Sequence, residues 1–259
     1  MPEGPPARGR SAGELRIHGV NACLAVFAQR PEAIGKLWLE RAQGERFGDV
    51  MRWCARNRIG YRLVDAAELE RLTQTRHHEG VCMAVARAPE PDLAGWLATL
   101  PEGPALALWL DGVGNPHNLG AILRSAANFG VAGVLVPGAV GGLLSPAAAR
   151  VAEGGAESVP LVRAGAVDDA VRLLDRAGFQ RVATVVRGGD ALFDAGLPGR
   201  CVLVMGAEAG GVSEGMLERC PRAVRIPGTG AVESLNVSAA TAVLLAHWAQ
   251  AHAWGGVAD

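Results

Sequence analysis

The sequence predicts an α/β protein in which a small α/β domain precedes a larger domain built on a parallel sheet. Three observations support this prediction. Short apolar runs alternate with segments of helical spacing after residue 104, a proline-rich stretch at residues 86–104 divides the chain, and shorter runs of both kinds precede that stretch. Such alternation is typical of a parallel sheet covered on both faces. We therefore expect a disordered lead-in at 1–12, a first domain at 13–88, a linker at 89–103 and a second domain at 104–259.

In the first domain, two segments have helical spacing and three short runs are strand-like. The expected helices are "NACLAVFAQR" and "FGDVMRWCARNRIG". The expected strands are "KLWLE", "YRLVD" and "VCMAVA". Together they indicate a small α/β domain.

In the second domain, five apolar runs end in glycine or polar residues. These expected strands are "ALALWLDGV", "VAGVLVPG", "RVATVVR", "CVLVMGAE" and "AVRIPG". Helical spacing occurs in "NLGAILRSAANFG" and "AVDDAVRLLDRAG". Because ligands of parallel sheets bind beyond the carboxyl ends of the strands, the loops that begin at Asp111, Gly206 and Pro227 are the candidate site.

Composition excludes several classes of protein. Half of the chain is hydrophobic (49%), yet no apolar run reaches the roughly 18 residues that a membrane span requires. The first residues lack the apolar stretch of a signal peptide. The five cysteines form no C-x-x-C pair, which argues against a disulfide framework or a zinc site and for a reducing cytoplasm. We therefore expect a cytoplasmic protein that has no membrane partner and no metal.

The charge is distributed unevenly although the net charge is only −1. Residues 1–88 hold 14 basic and 10 acidic side chains, whereas residues 89–259 hold 11 basic and 16 acidic ones. A polyanion would therefore be contacted first by the front of the chain. Chance asymmetry is the alternative interpretation, because an excess of +4 is small.

The first candidate loop, "DGVGNPHNLGAILRSAANFG", leads into an amphipathic helix. Apolar residues recur there at i, i+3, i+4 and i+7 from Leu119. Asn118, just before this stripe, is a good N-cap. Arg124 lies one position past the stripe, either as a solvated flank residue or, given the asparagines ahead of it, as a functional one.

The second candidate loop, "VLVMGAEAGGVSEG", follows a buried strand, and its glycines allow the backbone to approach a ligand closely. A P-loop is excluded because the chain's one lysine, Lys36, lies far from it. The segment "GVSEG" fits the nucleophile elbow of α/β-hydrolases, but five residues separate Met205 from Gly211 where that motif requires a direct strand-to-turn connection. A hydrolase is therefore a remote alternative.

The third candidate loop, "IPGTGAVESLNVSAATAVLLAHW", changes from a glycine-broken turn to an apolar helix. Ser234 can cap this helix, and Asn236 and Ser238 can satisfy its free N–H groups. Helix capping explains one polar residue at this junction, whereas the junction has four: Glu233, Ser234, Asn236 and Ser238. The polar residues that capping does not explain suggest a ligand with positive charge or many hydrogen-bond donors.

Together the three loops resemble the three motifs of the SpoU/TrmH family of RNA ribose methyltransferases, members of the knotted SPOUT class. The matches are N-x-G-x-x-x-R at Asn118, Gly120 and Arg124, G-x-E-x-x-G at Gly206, Glu208 and Gly211, and Ile226-Pro227 followed by "SLNVSAA". The front domain, ending in "HHEGVCMAVA", is similar to the ribosomal-protein-like RNA-binding domain of many members. The resemblance implies a trefoil knot in the second domain, S-adenosylmethionine as cofactor, and the ribose 2′-hydroxyl of a ribosomal or transfer RNA as acceptor.

The resemblance also implies site residues. The expected catalytic residues are Arg124, Asn118, Ser234 and Asn236. The expected cofactor-binding residues are Thr184, Gly206, Ile226, Pro227 and Leu235. Glu208 is either a structural anchor of the knot or catalytic, and Gly211 of the same motif is assigned no catalytic role. His77 and His78 are either RNA-binding or packing residues.

Two further expectations concern activity and assembly. A catalytically silent RNA-binding assembly factor of the same fold is the alternative function. Members of the family pair as homodimers, and the last helix, expected at residues 236–254, is apolar nearly all round. Its alanines would let a partner backbone come close, which favours a symmetric dimer over burial within one subunit.

Overall fold

The computed structural model describes residues 13–138 and 144–253. The lead-in expected at 1–12 and Trp254 of the expected last helix lie outside the described residues. The chain divides into two compact units, Met1–Ala88 and Pro89–Asp259. None of the helices that the structure describes is long and apolar enough to cross a bilayer.

The elements of the first unit are β1 (Glu14–His18), α1 (Val20–Gln29), β2 (Ile34–Leu39), α2 (Gly48–Arg56), β3 (Gly60–Leu63), α3 (Ala66–Thr73) and β4 (Val81–Ala86). Its strands form a four-stranded sheet in the order β1-β4-β2-β3. Strand β4 pairs antiparallel with β1 and β2, and the edge strand β3 pairs parallel with β2. The predicted helices and strands are all present, while β1 and α3 were not predicted.

The strands of the second unit are β5 (Ala105–Asp111), β6 (Gly133–Pro137), β7 (Leu161–Gly165), β8 (Gln180–Thr184), β9 (Asp190–Ala191), β10 (Arg200–Gly206) and β11 (Arg222–Arg225). They form a seven-stranded sheet in the order β7-β6-β5-β10-β8-β11-β9. In this unit every pairing between the described strands is parallel, as the sequence predicts. Its helices are α4 (Leu93–Thr99), α5 (Pro116–Asn128), α6 (Pro146–Val151), α7 (Gly155–Ser158), α8 (Val167–Arg176), α9 (Leu192–Ala195), α10 (Glu214–Leu217) and α11 (Val237–His252).

Strand order reverses at β5. The chain runs outward through β6 and β7, returns to β8, and only then inserts β10 between β5 and β8. Crevices at the carboxyl ends of strands open where the order reverses, so the ends of β5 and β10 are where a ligand site is expected.

The sheet of the second unit is buried on both faces because side chains alternate along each strand. In β5, Leu106, Leu108 and Leu110 face the core under α5 and α11, whereas Ala107 and Trp109 face the core under α4 and α8. A strand that is buried on both faces needs apolar side chains at every position, as in β10, rather than alternating apolar and polar ones.

The segment expected as a linker is part of the second unit. Residues 93–99 form α4, capped by the carboxylate of Asp92, which accepts from Gly95 N at 2.7 Å. Leu93 and Trp96 are buried in the core, and the Trp96 indole donates to Ala132 O at 3.0 Å. The prediction of a linker over 89–103 is therefore corrected: its prolines frame a short core helix.

Two close contacts fix α5 against its neighbours. A Cβ on Gly120 would lie 2.6 Å from Ala148 O and from Val151 Cβ. A Cβ on Gly155 would lie 2.6 Å from Leu123 O. Because side chains cannot fit at such distances, both glycines are needed for helices α6 and α7 to pack on α5.

Helix α11 buries one stripe against α5 and β10. The buried residues are Val237, Thr241, Leu244, Leu245, Trp248 and Ala249. The Trp248 indole donates to Pro198 O at 2.9 Å, so the far end of the helix is fixed by a hydrogen bond as well as by packing.

Candidate active site

The three candidate loops follow β5, β10 and β11, at the carboxyl edge of the sheet. The first loop is tied to the second near the strand ends, because the Asp111 carboxylate accepts from Ser213 N at 2.7 Å. Asp111 also lines a concavity of about 220 Å³ together with Trp109 and Arg219. Ser213 is therefore the residue that precedes α10 and helps to join the two loops. It does not lie on the strand-to-helix elbow that a hydrolase nucleophile requires.

Helix α5 begins earlier than predicted. Its N-cap is Asn115, whose side chain accepts from His117 N at 2.9 Å, and Pro116 occupies the first helical position. The prediction of Asn118 as N-cap is therefore wrong. The missed signal was Pro116, because proline at the first helical position places the cap one residue earlier.

Asn118 instead joins all three loops through its side chain. Its amide nitrogen donates to the Glu208 carboxylate of the second loop. Its amide oxygen accepts from Asn236 Nδ2 of the third loop at 3.1 Å. Asn118 is only 9% exposed, so both polar atoms find protein partners where water has little access.

The hydrogen-bond chain continues into α11. Asn236 caps that helix, its Oδ1 accepting from Ser238 N at 2.9 Å and from Ser238 Oγ at 2.6 Å. The expected cap, Ser234, is exposed and makes no hydrogen bond within the described residues, so that prediction is wrong. The role of Ser238 in ordering Asn236 was not predicted.

The second loop folds back on the end of β10. Ala207 and Gly211 exchange two backbone hydrogen bonds, of 3.0 Å and 2.8 Å. A Cβ on Gly206 would lie 2.0 Å from Gly211 C, and Gly211 itself has a φ of +66°. Both glycines of the G-x-E-x-x-G motif are thus required by this turn, which presents Glu208 to Asn118.

Arg124 lies two turns along α5 from Asn118 and is exposed. Its side chain makes no hydrogen bond or ion pair in the part of the chain that the structure describes. The Arg124 Cα lies 3.0 Å from where a Cβ on Gly155 would be, so its backbone is held tightly while its guanidinium stays available.

The third loop exposes both apolar side chains and backbone groups. Val232 is 70% and Leu235 49% exposed, and Pro227 is also exposed, whereas Ile226 packs against the core. Residues 226–235 make no backbone-to-backbone hydrogen bond within the described residues. Such a loop offers apolar contacts together with free donors and acceptors to a ligand.

Two residues at and just after the end of β8 approach this region. The Thr184 hydroxyl donates to Val204 O at 2.8 Å, which braces the end of β8 against β10. The exposed Arg187 guanidinium lies 3.8 Å from the Glu233 carboxylate of the third loop. Arg187 was not predicted, since nothing in its local sequence distinguishes it from a surface arginine.

Neither thiol nor metal chemistry is indicated near the site. Burial raises the pKa of Cys201 to about 12 and that of Cys220 to about 11, so neither is a thiolate nucleophile at neutral pH. Among the described residues, no group of His, Cys, Asp and Glu is arranged to hold a metal ion.

The two histidines of the first unit differ in their surroundings. His78 is 6% exposed, and its Nδ1 accepts from Gly80 N at 3.0 Å. His77 is exposed. Of these two histidines, His78 is therefore packed inside the unit, and His77 presents its side chain to solvent.

Two parts of the chain match known protein families. Residues 105–246 match the SpoU rRNA Methylase family. Residues 16–91 match the family described as RNA 2′-O ribose methyltransferase substrate binding. The first match contains all three loops, and the second covers the four-stranded unit.

Similar proteins include an uncharacterized tRNA/rRNA methyltransferase, YfiF, of Escherichia coli O157:H7, 41% identical over 93% of this chain and 69% of that protein. The 23S rRNA (guanosine-2′-O-)-methyltransferase RlmB of Burkholderia sp is 38% identical over 88% of this chain and 93% of that protein. Among solved structures, the SpoU methyltransferase AviRb from Streptomyces viridochromogenes, in complex with AdoMet, superposes with a TM-score of 0.76 at 24% identity, covering 94% of both chains.

Proposed function

The chain belongs to the SpoU rRNA methylase family, and we propose that it transfers the methyl group of S-adenosylmethionine to a ribose 2′-hydroxyl in a structured ribosomal or transfer RNA. The observation that carries this proposal is the hydrogen-bond chain from Glu208 through Asn118 to Asn236. It ties the three motif loops together beside an arginine that has no partner among the described residues.

The third loop fits the cofactor. Adenine has flat apolar faces and polar edges, and residues 226–235 offer exposed Val232 and Leu235 together with backbone groups that form no backbone-to-backbone hydrogen bonds in the described chain. Gly206, Ile226, Pro227 and Leu235 would hold the cofactor largely through their backbone, and Thr184 would brace the adjoining strand end. When bound, the cofactor supplies a methyl group on a positively charged sulfur. We propose that the SPOUT knot shapes this cleft.

The protein's task is to place the ribose oxygen in line with the methyl group and to stabilise the charge that develops on it. Arg124 is suited to the second role, because a guanidinium stays protonated and can also hold a neighbouring phosphate. The same permanent charge makes it a poor base. Asn118 is a positioning residue, since both of its polar atoms already have protein partners. Asn236 is a positioning residue for the same reason, since its Nδ2 donates to Asn118 and its Oδ1 accepts from Ser238. Exposed Ser234 would contact the ribose.

Methyl transfer to RNA tests this function. The full chain should bind S-adenosylmethionine in isothermal titration and should label bulk RNA from a strain lacking the protein. Arg124→Ala should reduce transfer by about 10²-fold or more while cofactor affinity is kept. Arg176→Ala, which removes an exposed arginine from α8, is the matched control. Mapping ribose methylation in the deletion strain would identify the nucleotide.

Two outcomes would contradict the proposal. If Arg124→Ala transferred methyl groups at the wild-type rate, Arg124 would not be the residue that stabilises the developing charge. Stable RNA binding with no label in either ribosomal or transfer RNA would instead support the catalytically silent assembly factor.

We further propose a cytoplasmic homodimer formed through α11. The side of α11 away from its buried stripe carries small residues that are at least partly exposed, among them Ala239, Ala242 and Ala246, and exposed Phe193 contacts His247 edge-on. Apolar surface of this kind is typical of interfaces. Light scattering at micromolar concentration should give about twice the 26.8 kDa chain mass. A monomer that still binds cofactor would contradict the dimer.

A further inference from the structure

The positive charge of the front unit is concentrated in one segment. Residues 41–63 hold six arginines and two acidic side chains, an excess of +4. The rest of residues 1–88 holds eight basic and eight acidic side chains and is therefore neutral. The whole excess lies on the segment just before α2, on α2, on the turn that follows it and on β3.

Most of these arginines are available to a ligand. Arg52 pairs with Asp49 on the surface of α2, and Arg62 pairs with Glu68 at 3.2 Å. The other four are exposed and form no ion pair or side-chain hydrogen bond with any residue that the structure describes: Arg41, Arg46, Arg56 and Arg58. Unpaired exposed guanidiniums favour an anionic partner.

An aromatic ring lies within the same segment. Tyr61 is the chain's one tyrosine and is 43% exposed, and Leu63, two residues along the same face of β3, is 50% exposed. Tyr61 lines an open groove of about 550 Å³ together with Met51, Arg52 and Ala55 on α2. This volume is within the range of small-ligand sites.

Strand β3 lies at an edge of the sheet, because among the described strands it pairs with β2 alone. We name the exposed residues from Arg52 on α2 to Leu63 on β3, including the turn between these elements, the α2–β3 surface. Arginines around an exposed aromatic ring are the combination that binds unpaired nucleotides, since the ring stacks on a base while the cations hold phosphates.

We propose that the α2–β3 surface binds an unpaired stretch of RNA, with the Tyr61 ring stacked on a base and Arg56 and Arg58 on its phosphates. The proposal rests on the proposed function in taking the anion to be RNA. Glu45, which lines the groove, disfavours an acidic peptide as much as RNA, but an acidic peptide has no base to stack on the ring.

Fluorescence anisotropy on the full chain tests this assignment with two labelled probes. One is a single-stranded RNA of about 12 nucleotides, and the other is the same sequence closed into a hairpin duplex. Tyr61→Ala should weaken binding of the single strand about tenfold, Tyr61→Phe less than about twofold, and neither should change duplex binding.

The salt dependence separates phosphate contacts from stacking. The double variant Arg56→Ala/Arg58→Ala should lower the slope of log K against log salt by about 1.4, or about 0.7 for each lost phosphate contact, whereas Tyr61→Ala should leave the slope unchanged. Arg71→Ala, which removes an exposed arginine from α3, is the control and should change neither property.

The result that overturns the proposal is unchanged single-strand binding in both the tyrosine and the double arginine variants, or no binding by the wild-type chain. Equal displacement of RNA by polyglutamate at the same charge concentration would reduce the surface to a nonspecific polyanion site and would also overturn it. Methyl transfer and cofactor titration are measured separately from RNA binding. A negative binding result at the α2–β3 surface would therefore leave the proposed methyl transfer intact. If the chain transferred no methyl group, the binding measurements would still test this surface.

Discussion

The carboxamide of Asn118 donates a hydrogen bond to the carboxylate of Glu208, a residue 90 positions further along the chain. A bond between helix α5 and the loop after β10 requires the late insertion of β10 beside β5. The same Asn118 accepts from Asn236 at the start of α11. The hydrogen bonds of this one buried side chain therefore form only when three separate segments of the chain meet at the same edge of the sheet.

Removing this side chain should affect both stability and cofactor binding. Asn118→Ala leaves Glu208 and Asn236 without their partner, so the free energy of unfolding should fall by about 1–3 kcal/mol in urea titrations. Affinity for S-adenosylmethionine should fall as well, because two loops lose their common tie. Asn115→Ala is the control: it removes an N-cap, with a loss of about 1 kcal/mol, and keeps the tie. Wild-type cofactor affinity in Asn118→Ala would refute the role given to the tie.

Glu208 can be tested as an anchor separately from its charge. Glu208→Gln keeps an oxygen that accepts from Asn118, whereas Glu208→Ala removes it. If the anchor is what matters, the glutamine variant should retain methyl transfer within about fivefold, consistent with the modest difference between charged and neutral hydrogen bonds. The alanine variant should lose far more. Equal losses in both variants would show that the carboxylate charge itself is needed.

The sequence predicted elements whose signal is local and missed those set by tertiary contacts. β4 was placed at its observed bounds because the run "VCMAVA" is apolar and buried on both faces. The segment of α4 was predicted as linker because the prolines on either side of it are visible in the sequence, whereas the burial of Trp96 is not. Short pieces such as α7 and β9 have too few residues to show a period.

In the candidate site, too, the sequence predicted features with a local signal and missed those set by tertiary contacts. The family motifs brought Asn118, Glu208 and Asn236 into the prediction, yet which residue caps each helix was misassigned. Capping depends on the residue at which the helical turn begins, and boundaries are the weakest part of any sequence pattern. The pairing of Asn118 with Glu208 joins distant segments and has no local signal.

Stability should fall at alkaline pH through the buried thiol of Cys201. Burial raises its pKa to about 12, whereas an unfolded cysteine ionises near about 8.5. The folded state therefore keeps the proton, and its stability is complete below about pH 8.5 and falls as the pH rises toward about 12. The free energy of unfolding, measured by urea titration, should fall between about pH 8 and about pH 10 in both proteins. The decrease should be about 1–2 kcal/mol smaller in Cys201→Ala than in the wild-type chain. Equal losses in the two proteins would contradict this assignment.

The turn after β10 offers the sharpest test of the cofactor cleft, because two glycines in one loop differ in their surroundings. A Cβ on Gly206 would lie 2.0 Å from Gly211 C and 2.1 Å from Val212 N, both backbone atoms, while a Cβ on Gly210 would meet nothing within 4 Å. Gly206→Ala must therefore open the Ala207–Gly211 turn and displace Glu208, and Gly210→Ala need not.

We expect Gly206→Ala to lower affinity for S-adenosylmethionine by about tenfold or more in isothermal titration, and to lower the free energy of unfolding by about 1–3 kcal/mol through overpacking. Gly210→Ala should match the wild-type chain in both measurements. Because the two variants add the same methyl group four residues apart, a difference between them reports the backbone contact at Gly206 alone. Equal cofactor affinity in the two variants would mean that this turn does not shape the cleft.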